Sequence, residues 1–471
     1  MGGRTFSQEI VGVRVDLGGA YIGTTQDRVL SLLERFGLHL YDVFHGGKAV
    51  TVDGPSGRPL LYEGLIPPYG PATLVDLNTL LVDMEALAAT VDVERPWLTL
   101  DARRLDAQSV GQWVEQRGWT EQGKRAARAA IQSLTCSSPD AVSLLWWLWV
   151  VKSCCNVKML MAVTDGGQEK KVVEGLAELS ARIAAHVGCV RLSHVVREID
   201  WSAKGRIRVV AEMPGRERRE FSCRQLIVAV PPALYNSFVW RPSLPPEKIQ
   251  LGQQMPMGSI IKTVTYYERP HWRLRGLSGE SFDSSGAPVV YSVDDTKPDG
   301  SHPAIMGFVS AHAAQQLQLQ TLEQRREAVA AHYARIYGFP EKPIRYVEQN
   351  WSAEVFSGGC YMGVCGPGVL TGFCPALRSS LAGDTIHFAG TETAIRWSGY
   401  ADGAIESGFR CAAAARGEPW DWRERPAQSL MTNKPLGFTA AERLMPRLAT
   451  VLGLSVAAVS AVAAWMLRAK L

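Results

Sequence analysis

A stretch in the last quarter of the chain, residues 385–408, has the pattern of a cofactor or anion site. It reads TIHFAGTETAIRWSGYADGAIESG, so a β-branched and aromatic run is followed by a glycine turn at Gly390 and a helical pattern from Ala401. Free N–H groups at a helix N-terminus attract negative charge, and glycine lets a ligand approach the backbone. The pattern predicts a strand, a turn and a helix that seat a cofactor, and an ordinary strand–helix junction is the alternative.

A single lysine, Lys262, stands inside the apolar run SIIKTVTYY at residues 259–267. A lysine in such a strand is more often a paired or surface residue than a functional one. A buried lysine can also do chemistry, because burial shifts its pKa. The pattern alone leaves both interpretations open.

Several other chemistries have no motif in this sequence. The nine cysteines form no CxxC pair, and the chain has no HExxH and no GxSxG. These absences argue against a disulfide scaffold, a metal site and a nucleophile-elbow hydrolase. The net charge is +4 and there is no block of Lys and Arg, so nucleic-acid binding is set aside as well.

The elements that must position these residues alternate between helices and strands. With 471 residues, 46% of them hydrophobic and 20% charged, the chain is expected to fold into two domains or one large multi-lobed body. The hydrophobic pattern predicts a mixed α/β fold, with helices at 26–36, 74–90, 109–117, 121–133, 141–151, 172–187 and 321–337 and strands at 11–23, 189–199, 206–211, 225–232, 259–267, 289–293, 304–309 and 385–389.

Two strongly apolar segments raise the question of a membrane. The run AVSLLWWLWVV at 141–151 is too short to span a bilayer and predicts a buried core helix. Residues 448–467 carry no charge and are bracketed by Arg447, Arg468 and Lys470. This segment predicts a membrane anchor, with a buried alanine-rich helix as the alternative. The start, MGGRTFSQEI, lacks a signal peptide, so a tail anchor is expected.

Two motifs carry a family resemblance: SGGCY at 357–361 and GTETAIRWSGYADGAIESG at 390–408 closely resemble the C-terminal motifs of monoamine oxidases. These are flavin enzymes of the mitochondrial outer membrane. Further matching segments follow in the family's order: GGRTFS at 2–7, DLGGAYIG at 16–23, LLWWLWVVK at 144–152, DGGQEKK at 165–171, VPP at 230–232, GSIIK at 258–262 and DDTKPDG at 294–300. The resemblance covers essentially the whole chain.

The resemblance implies an FAD-binding Rossmann-like domain and a substrate domain. The FAD-binding domain would comprise 1–41, 173–251 and 354–416. The substrate domain, a mixed β-sheet with helices, would comprise 42–172 and 252–353. Residues 417–447 would link this body, facing the cytosol, to the anchor at 448–467 in the mitochondrial outer membrane.

The resemblance also implies residue roles. Cys360 would bond covalently to the flavin as an 8α-S-cysteinyl link, Tyr361 and Tyr400 would flank the amine, and Lys262 would hold a water near the reactive flavin nitrogen. The positions near the flavin are Gly3, Arg4, Gly19, Tyr21, Val196, Trp351, Gly390, Thr391 and Glu392. The positions of the substrate cavity are Gln168, Tyr291, Met306 and Phe308, with Leu134 and Met161 at its entrance.

The activity implied is oxidation of primary arylalkyl monoamines by oxygen, through an imine, to an aldehyde, ammonia and hydrogen peroxide. No metal and no nucleic acid is involved, and a homodimer is allowed but not required. A polyamine or amino-acid oxidase is the alternative. A polyamine enzyme should line its cavity with acidic residues, and an amino-acid enzyme should carry an arginine clamp for the carboxylate.

The sequence departs from the family at its start. The family's first βαβ unit carries GxGxxG and seats the adenosine and pyrophosphate, and this sequence contains no such unit. We expect a truncated gene model or a fragment of a full oxidase; the alternative is a real short product that folds poorly, holds flavin weakly or not at all, and is catalytically inactive. Cys365, in GVCGPGVL, stands where an aromatic residue is expected.

Overall fold

A computed structural model describes residues 2–10, 12–54, 57–64, 66–338, 342–424, 435–440 and 442–443. The described strands are β1 Ser7–Ile10, β2 Val13–Asp16, β3 Leu40–Asp42, β4 Lys48–Val52, β5 Leu60–Tyr62, β6 Lys170–Val172, β7 Val195–Asp200, β8 Ile207–Glu212, β9 Arg218–Cys223, β10 Leu226–Val228, β11 Val239–Arg241, β12 Ile260–Tyr266, β13 Leu277–Asp283, β14 Tyr291–Asp294, β15 Ala304–Ser310, β16 Arg345–Asn350 and β17 Ile386–Phe388.

Helices occupy much of the rest of the described chain, which confirms the mixed α/β class. They are α1 Asp27–Arg35, α2 Pro71–Ala89, α3 Ala102–Asp106, α4 Val110–Arg117, α5 Glu121–Thr135, α6 Leu144–Ser153, α7 Val157–Met161, α8 Ala177–Val187, α9 Pro246–Gln254, α10 His271–Leu274, α11 His312–Leu317, α12 Leu322–Tyr337, α13 Val369–Phe373 and α14 Ala401–Arg416.

The largest described sheet has seven strands in the order β16-β12-β15-β14-β13-β4-β5. All of them come from the segments 42–172 and 252–353, and every pair is antiparallel except β13 with β4. Successive side chains of a strand point to opposite faces. On β12, Ile261 therefore packs in one core with Val329 and Tyr333 of α12, while Ile260 and Val264 pack in another with Trp351 and Cys360. Lys262 lies on this second face.

The remaining described sheets are smaller. β11-β7-β8-β9 form a four-stranded sheet, β10 pairs with β17 in parallel, β1 with β2 and β3 with β6. Helix α14 packs against α1, where Asp402 accepts hydrogen bonds from the main-chain N–H groups of Arg28 (2.8 Å) and Val29 (2.9 Å). A carboxylate at a helix N-terminus satisfies otherwise free donors and complements the helix dipole.

Two sequence predictions need correction, and a third is confirmed. The predicted strand at 11–23 is the second half of a hairpin, β1–β2, followed by a loop. The predicted buried strand at 225–232 shortens to β10, and Ile227 within it is 40% exposed. The helix predicted at 141–151 is α6, and its three tryptophans are fully buried, which confirms a core helix.

No helix among the described residues is both long and apolar enough to cross a membrane. The predicted anchor at 448–467 lies outside the described residues, as does most of the predicted linker after residue 424.

The turn after β2 brings two backbone segments into close contact at Gly18. The carbonyl of Arg4 accepts the N–H of Gly19 (2.8 Å), and that of Phe6 accepts the N–H of Gly18 (2.8 Å). A Cβ on Gly18 would lie 2.2 Å from the carbonyl oxygen of Arg4 and 2.4 Å from the nitrogen of Phe6. Only glycine fits at this position.

We therefore expect Gly18→Ala to destabilise the protein by about 1–3 kcal/mol, because main-chain atoms must move to admit the methyl group. Gly19→Ala is the matched control, since a Cβ there would lie 3.7 Å from its nearest atom. Thermal unfolding followed by tryptophan fluorescence checks this. Equal melting temperatures for the two variants would contradict the close contact at Gly18.

Candidate active site

One large cavity, about 810 Å³ in volume, lies between the seven-stranded sheet, the helices α2, α5 and α6, and the start of α14. Most of the site residues expected from sequence line it: Gly3, Arg4, Gly19, Tyr21, Leu134, Met161, Gln168, Lys262, Tyr291, Phe308, Trp351, Cys360, Tyr361, Gly390, Thr391 and Tyr400. The fold thus brings together residues that are almost 400 positions apart in the chain.

Three expected residues are not among those that line the cavity. Met306 is fully buried in the sheet core, opposite Val264 and Val293. Val196 lies on β7 of the four-stranded sheet. Glu392 is fully buried behind Arg4, which lines the cavity and pairs with it.

Arg4 joins the beginning of the chain to both C-terminal motifs. Its Nη1 donates to the carbonyl oxygen of Tyr361 (2.8 Å) and to Oε1 of Glu392 (2.5 Å), and its Nη2 donates to Oε2 of Glu392 (3.0 Å). The main-chain N–H of Gly363 donates to the same carboxylate (3.1 Å). Arg4 lowers the pKa of Glu392 against the opposing effect of burial. A paired, fully bonded carboxylate of this kind holds its neighbours in one geometry.

The tyrosines Tyr361 and Tyr400 are each fixed by an aromatic neighbour. The ring of Tyr361 meets Phe308 edge to face with centroids 5.6 Å apart, and that of Tyr400 meets Trp397 edge to face at 4.9 Å. The amide Nε2 of Gln168 lies 3.2 Å from the Tyr400 hydroxyl. Burial raises the pKa of both tyrosines, so both phenols are neutral. The cavity therefore carries two rigid, uncharged aromatic walls.

The turn before α14 is held by its own side chains. The Thr391 hydroxyl donates to the carbonyl oxygen of Tyr400 (2.9 Å) and accepts the N–H of Gly399 (2.7 Å). The N–H of Gly390 donates to Oγ of Ser407 (3.0 Å). Ala401, the first residue of α14, lines the cavity, so the positive end of the helix dipole lies at its wall.

Lys262 is a buried ammonium at the cavity wall, 3% exposed. Its Nζ donates to the carbonyl oxygen of Gly18 (2.9 Å) and lies 5.6 Å from the ring centroid of Tyr21. Burial, helped by the charge of Lys171, lowers the pKa of Lys262 to about 8. The group can therefore change protonation state near neutral pH, which a surface lysine does not do.

Cys360 presents a thiol to the same cavity. Burial raises its pKa to about 12, and the nearby charge of Arg4 opposes that rise. Glycines let its loop lie against β12: a Cβ on Gly258 would be 2.4 Å from the Cys360 carbonyl oxygen, and Gly359 has a φ of 145° that favours glycine. Neither Gly258 nor Gly359 leaves room for a side chain, so the loop that carries the Cys360 thiol is closely packed.

The far end of the cavity is aromatic and contains one residue that the sequence analysis missed. Phe308 pairs with Tyr291 across β15 and β14, and their rings are stacked. The hydroxyl of Tyr291 donates to Oε1 of Glu280 (3.0 Å). Glu280 was missed because no strand was predicted at 277–283. The available signal was the two-residue spacing between Glu280 and Phe282, which places both on one face of a strand.

The residues present fit a flavin. Four buried polar atoms of the lining residues have no partner in the described structure: the hydroxyls of Tyr21 and Tyr69, Oγ of Ser357 and Oε1 of Gln168. Glycine backbone at Gly3, Gly19 and Gly390 leaves room for a planar ring system. Unpaired buried polar atoms are costly, and the polar edge of a flavin would satisfy such atoms.

The Arg4–Glu392 pair gives a pH-dependent stability prediction. The folded-state pKa of Glu392 is lower than its usual value of 4.5, so the pair stabilises the fold fully above about pH 4.5 and progressively less as the pH falls further. Glu392→Gln should therefore cost about 2–3 kcal/mol at pH 7, because it leaves Arg4, whose side chain is only 20% exposed, without its counter-charge. The cost should shrink below pH 4.5.

Thermal unfolding across this pH range checks the prediction. The matched control is Glu418→Gln, which removes the exposed partner of Arg416 and should change little. A deficit for Glu392→Gln that stayed constant from pH 7 to pH 3.5 would contradict the assignment.

Comparisons with known proteins agree with this geometry. Residues 1–416 match the family model of flavin containing amine oxidoreductases. The chain is 36% identical to amine oxidase [flavin-containing] B of Homo sapiens over 458 residues, which is 95% of this chain and 86% of the relative. Amine oxidase [flavin-containing] A of Equus caballus is 36% identical over 418 residues, covering 88% and 78%.

Two solved structures share the fold. Putrescine oxidase bound to putrescine superposes with a TM-score of 0.82 at 28% identity, covering 88% of this chain and 91% of that chain. Cyclohexylamine oxidase from Brevibacterium oxydans superposes with a TM-score of 0.81 at 27% identity and the same coverage. The chain therefore belongs to the family of flavin-containing amine oxidoreductases.

Proposed function

We propose that this protein oxidises primary arylalkyl monoamines with oxygen. In the overall reaction the amine, O₂ and water give the aldehyde, ammonia and hydrogen peroxide, through an imine that water hydrolyses. The observation that carries the proposal is the single cavity in which Cys360, Lys262, Tyr361 and Tyr400 meet. The 36% identity to flavin-containing amine oxidases A and B supports it.

FAD would be held by residues around the Arg4 end of the cavity, and when bound it supplies the two-electron redox chemistry. Arg4, Gly19, Trp351 and Thr391 line that end, and the Cys360 thiol is the group we assign to the 8α-S-cysteinyl link. Glu392 contributes by holding Arg4, and the positive end of α14 favours negative charge on the ring.

The chain's own residues would select and orient the amine. An amine must lose its proton before it can give up a hydride from its α-carbon, and an apolar wall penalises the charged form. Tyr361 and Tyr400 present neutral rings to the amine, and Gln168 fixes the Tyr400 hydroxyl. Phe308 and Tyr291 extend the aromatic surface along the sheet, which suits an aryl group.

We assign Lys262 to holding a water at the reaction centre. Its Nζ uses one N–H on the Gly18 carbonyl oxygen, which leaves two donors for the cavity. A lysine with a pKa of about 8 can also pass a proton near neutral pH.

The experiment that tests the function uses the purified chain and its Cys360→Ala variant, each supplied with FAD. Wild type should release hydrogen peroxide from phenylethylamine, and its acid precipitate should be yellow because the flavin is covalently bound. The precipitate of Cys360→Ala should be colourless. Cys411→Ala is the matched control, since Cys411 is also buried but lies outside the cavity lining.

A colourless wild-type precipitate would contradict the covalent link. A wild-type protein that binds FAD and releases no peroxide from any primary amine would contradict the proposed reaction.

We further propose that residues 448–467 anchor the protein in the mitochondrial outer membrane with its body in the cytosol, as their uncharged composition and basic flanks support. The full chain should remain with the membrane pellet after carbonate extraction, and its body should be cleaved by protease added to intact mitochondria. A chain that ends at residue 447 should be recovered in the supernatant. Recovery of the full chain in the supernatant would refute the anchor.

A further inference from the structure

The aromatic end of the cavity contains a carboxylate that the proposed reaction does not use. Glu280 lines the cavity from β13, and Phe282, two residues on, lines it from the same face. The Glu280 side chain is 15% exposed. An acidic group in such surroundings is costly unless something charged or hydrogen-bonding meets it.

The strand register places Glu280 far from the reacting end. Lys262 pairs with Phe308, Phe308 with Tyr291 and Tyr291 with Phe282, so these four side chains form a row across β12, β15, β14 and β13. Neighbouring strands are about 4.8 Å apart, and the Glu280 carboxylate is bonded to Tyr291, so it lies roughly 10–14 Å from Lys262 along the sheet.

The Glu280 carboxylate can accept a further hydrogen bond. Oε1 accepts the Tyr291 hydroxyl at 3.0 Å, and Nδ1 of His45 lies 3.2 Å from Oε2. Two carboxylate oxygens offer about four acceptor positions. The His45 side chain is 36% exposed, so it can turn away toward solvent. Burial raises the pKa of Glu280, and a cation placed beside it would lower that pKa again.

Among the described residues, the other charged side chains that line the cavity lie away from its aromatic end. Arg4 and Lys262 lie at the end assigned to the flavin, and both are positive. Glu354 lies beside the SGGCY loop, where it accepts the N–H of Phe356 (3.3 Å). Glu280 is therefore the acidic side chain that the described lining offers at the aromatic end, where it can meet a positive group.

We propose that Glu280 is a distal subsite that binds the second ammonium group of a long diamine or polyamine, whose other end is oxidised near Lys262. This rests on the proposed amine oxidation and adds long diamines, as a second substrate class of the same cavity, to the monoamines proposed above. An extended aliphatic chain advances roughly 1.2 Å per bond, so the two nitrogens should be roughly eight to twelve bonds apart. Decanediamine meets this requirement and butanediamine is too short.

The test measures binding and turnover separately. Equilibrium dialysis against dithionite-reduced enzyme reads the dissociation constant without consuming the amine. Wild type should bind decanediamine about 10- to 100-fold more tightly than decylamine, because a charge-assisted hydrogen bond is added. Butanediamine should show no advantage over butylamine. Glu280→Gln should bind decanediamine and decylamine equally.

Two further variants keep the result interpretable. Glu220→Gln makes the same change on β9, outside the cavity lining, and should keep the preference for decanediamine. Glu280→Asp keeps the charge but withdraws it by one methylene, so the best diamine should become longer. This variant decides the question if Glu280→Gln does not fold.

Equal binding of decanediamine and decylamine by wild type, or a preference that survives in Glu280→Gln, would overturn the distal subsite. Oxidation of decylamine with no preference for the diamine would refute the subsite and leave the proposed function standing. A preference for the diamine in binding, with no peroxide from any amine, would refute the proposed function and leave the subsite standing.

Discussion

The site depends on a partly buried charge pair that joins the start of the described chain to its C-terminal motifs. Arg4 is hydrogen-bonded at once to the Glu392 carboxylate and to the Tyr361 carbonyl, and the same carboxylate takes the N–H of Gly363. Glu392 is fully buried and Arg4 is partly buried, so a charge left without its partner here would be costly and this geometry is strongly preferred once the fold forms. Arg4 thereby fixes the positions of both C-terminal motifs relative to the start of the chain.

The seven-stranded sheet supplies a second constraint. Its antiparallel register places Lys262, Phe308 and Tyr291 side by side on one face. A shift of one residue in any of these strands would move its side chain to the opposite face, against α12. The sheet therefore orders the cavity from a basic end to an aromatic end, and Glu280 is beyond Tyr291 in that order.

This arrangement bears on how relatives with one fold can differ in substrate. The solved neighbours include a putrescine oxidase and a cyclohexylamine oxidase, which act on amines of different shape and charge. In this chain the Arg4 end is built mainly from backbone, glycines and an ion pair, whereas the far end is built from side chains on β13, β14 and β15. Side chains on strands can change without moving the backbone, so specificity can vary while the redox site stays intact.

Much of this protein can be read from local patterns in the sequence. The strand–turn–helix at 385–408 and the buried tryptophan helix follow from short-range composition, because hydrophobic periodicity and glycine turns act over a few residues. Most of the site residues that the family motifs imply line the cavity. The strand predicted at 11–23 was too long because the alternation of apolar and polar residues continues to Leu17, although β2 ends at Asp16 and a loop follows.

What only the tertiary structure decided is which residues face one another across the sheet. Met306 and Phe308 are two positions apart on one strand, yet one is enclosed in the core and the other faces the cavity. Glu280 resembles an ordinary surface glutamate in the sequence, and its burial becomes evident only when β13 is paired with β14. Strand pairing depends on residues that are distant in sequence. The local pattern determines only where strands, helices and turns occur. The motifs therefore predicted which residues lie at the Arg4 end, and the carboxylate at the aromatic end required the fold.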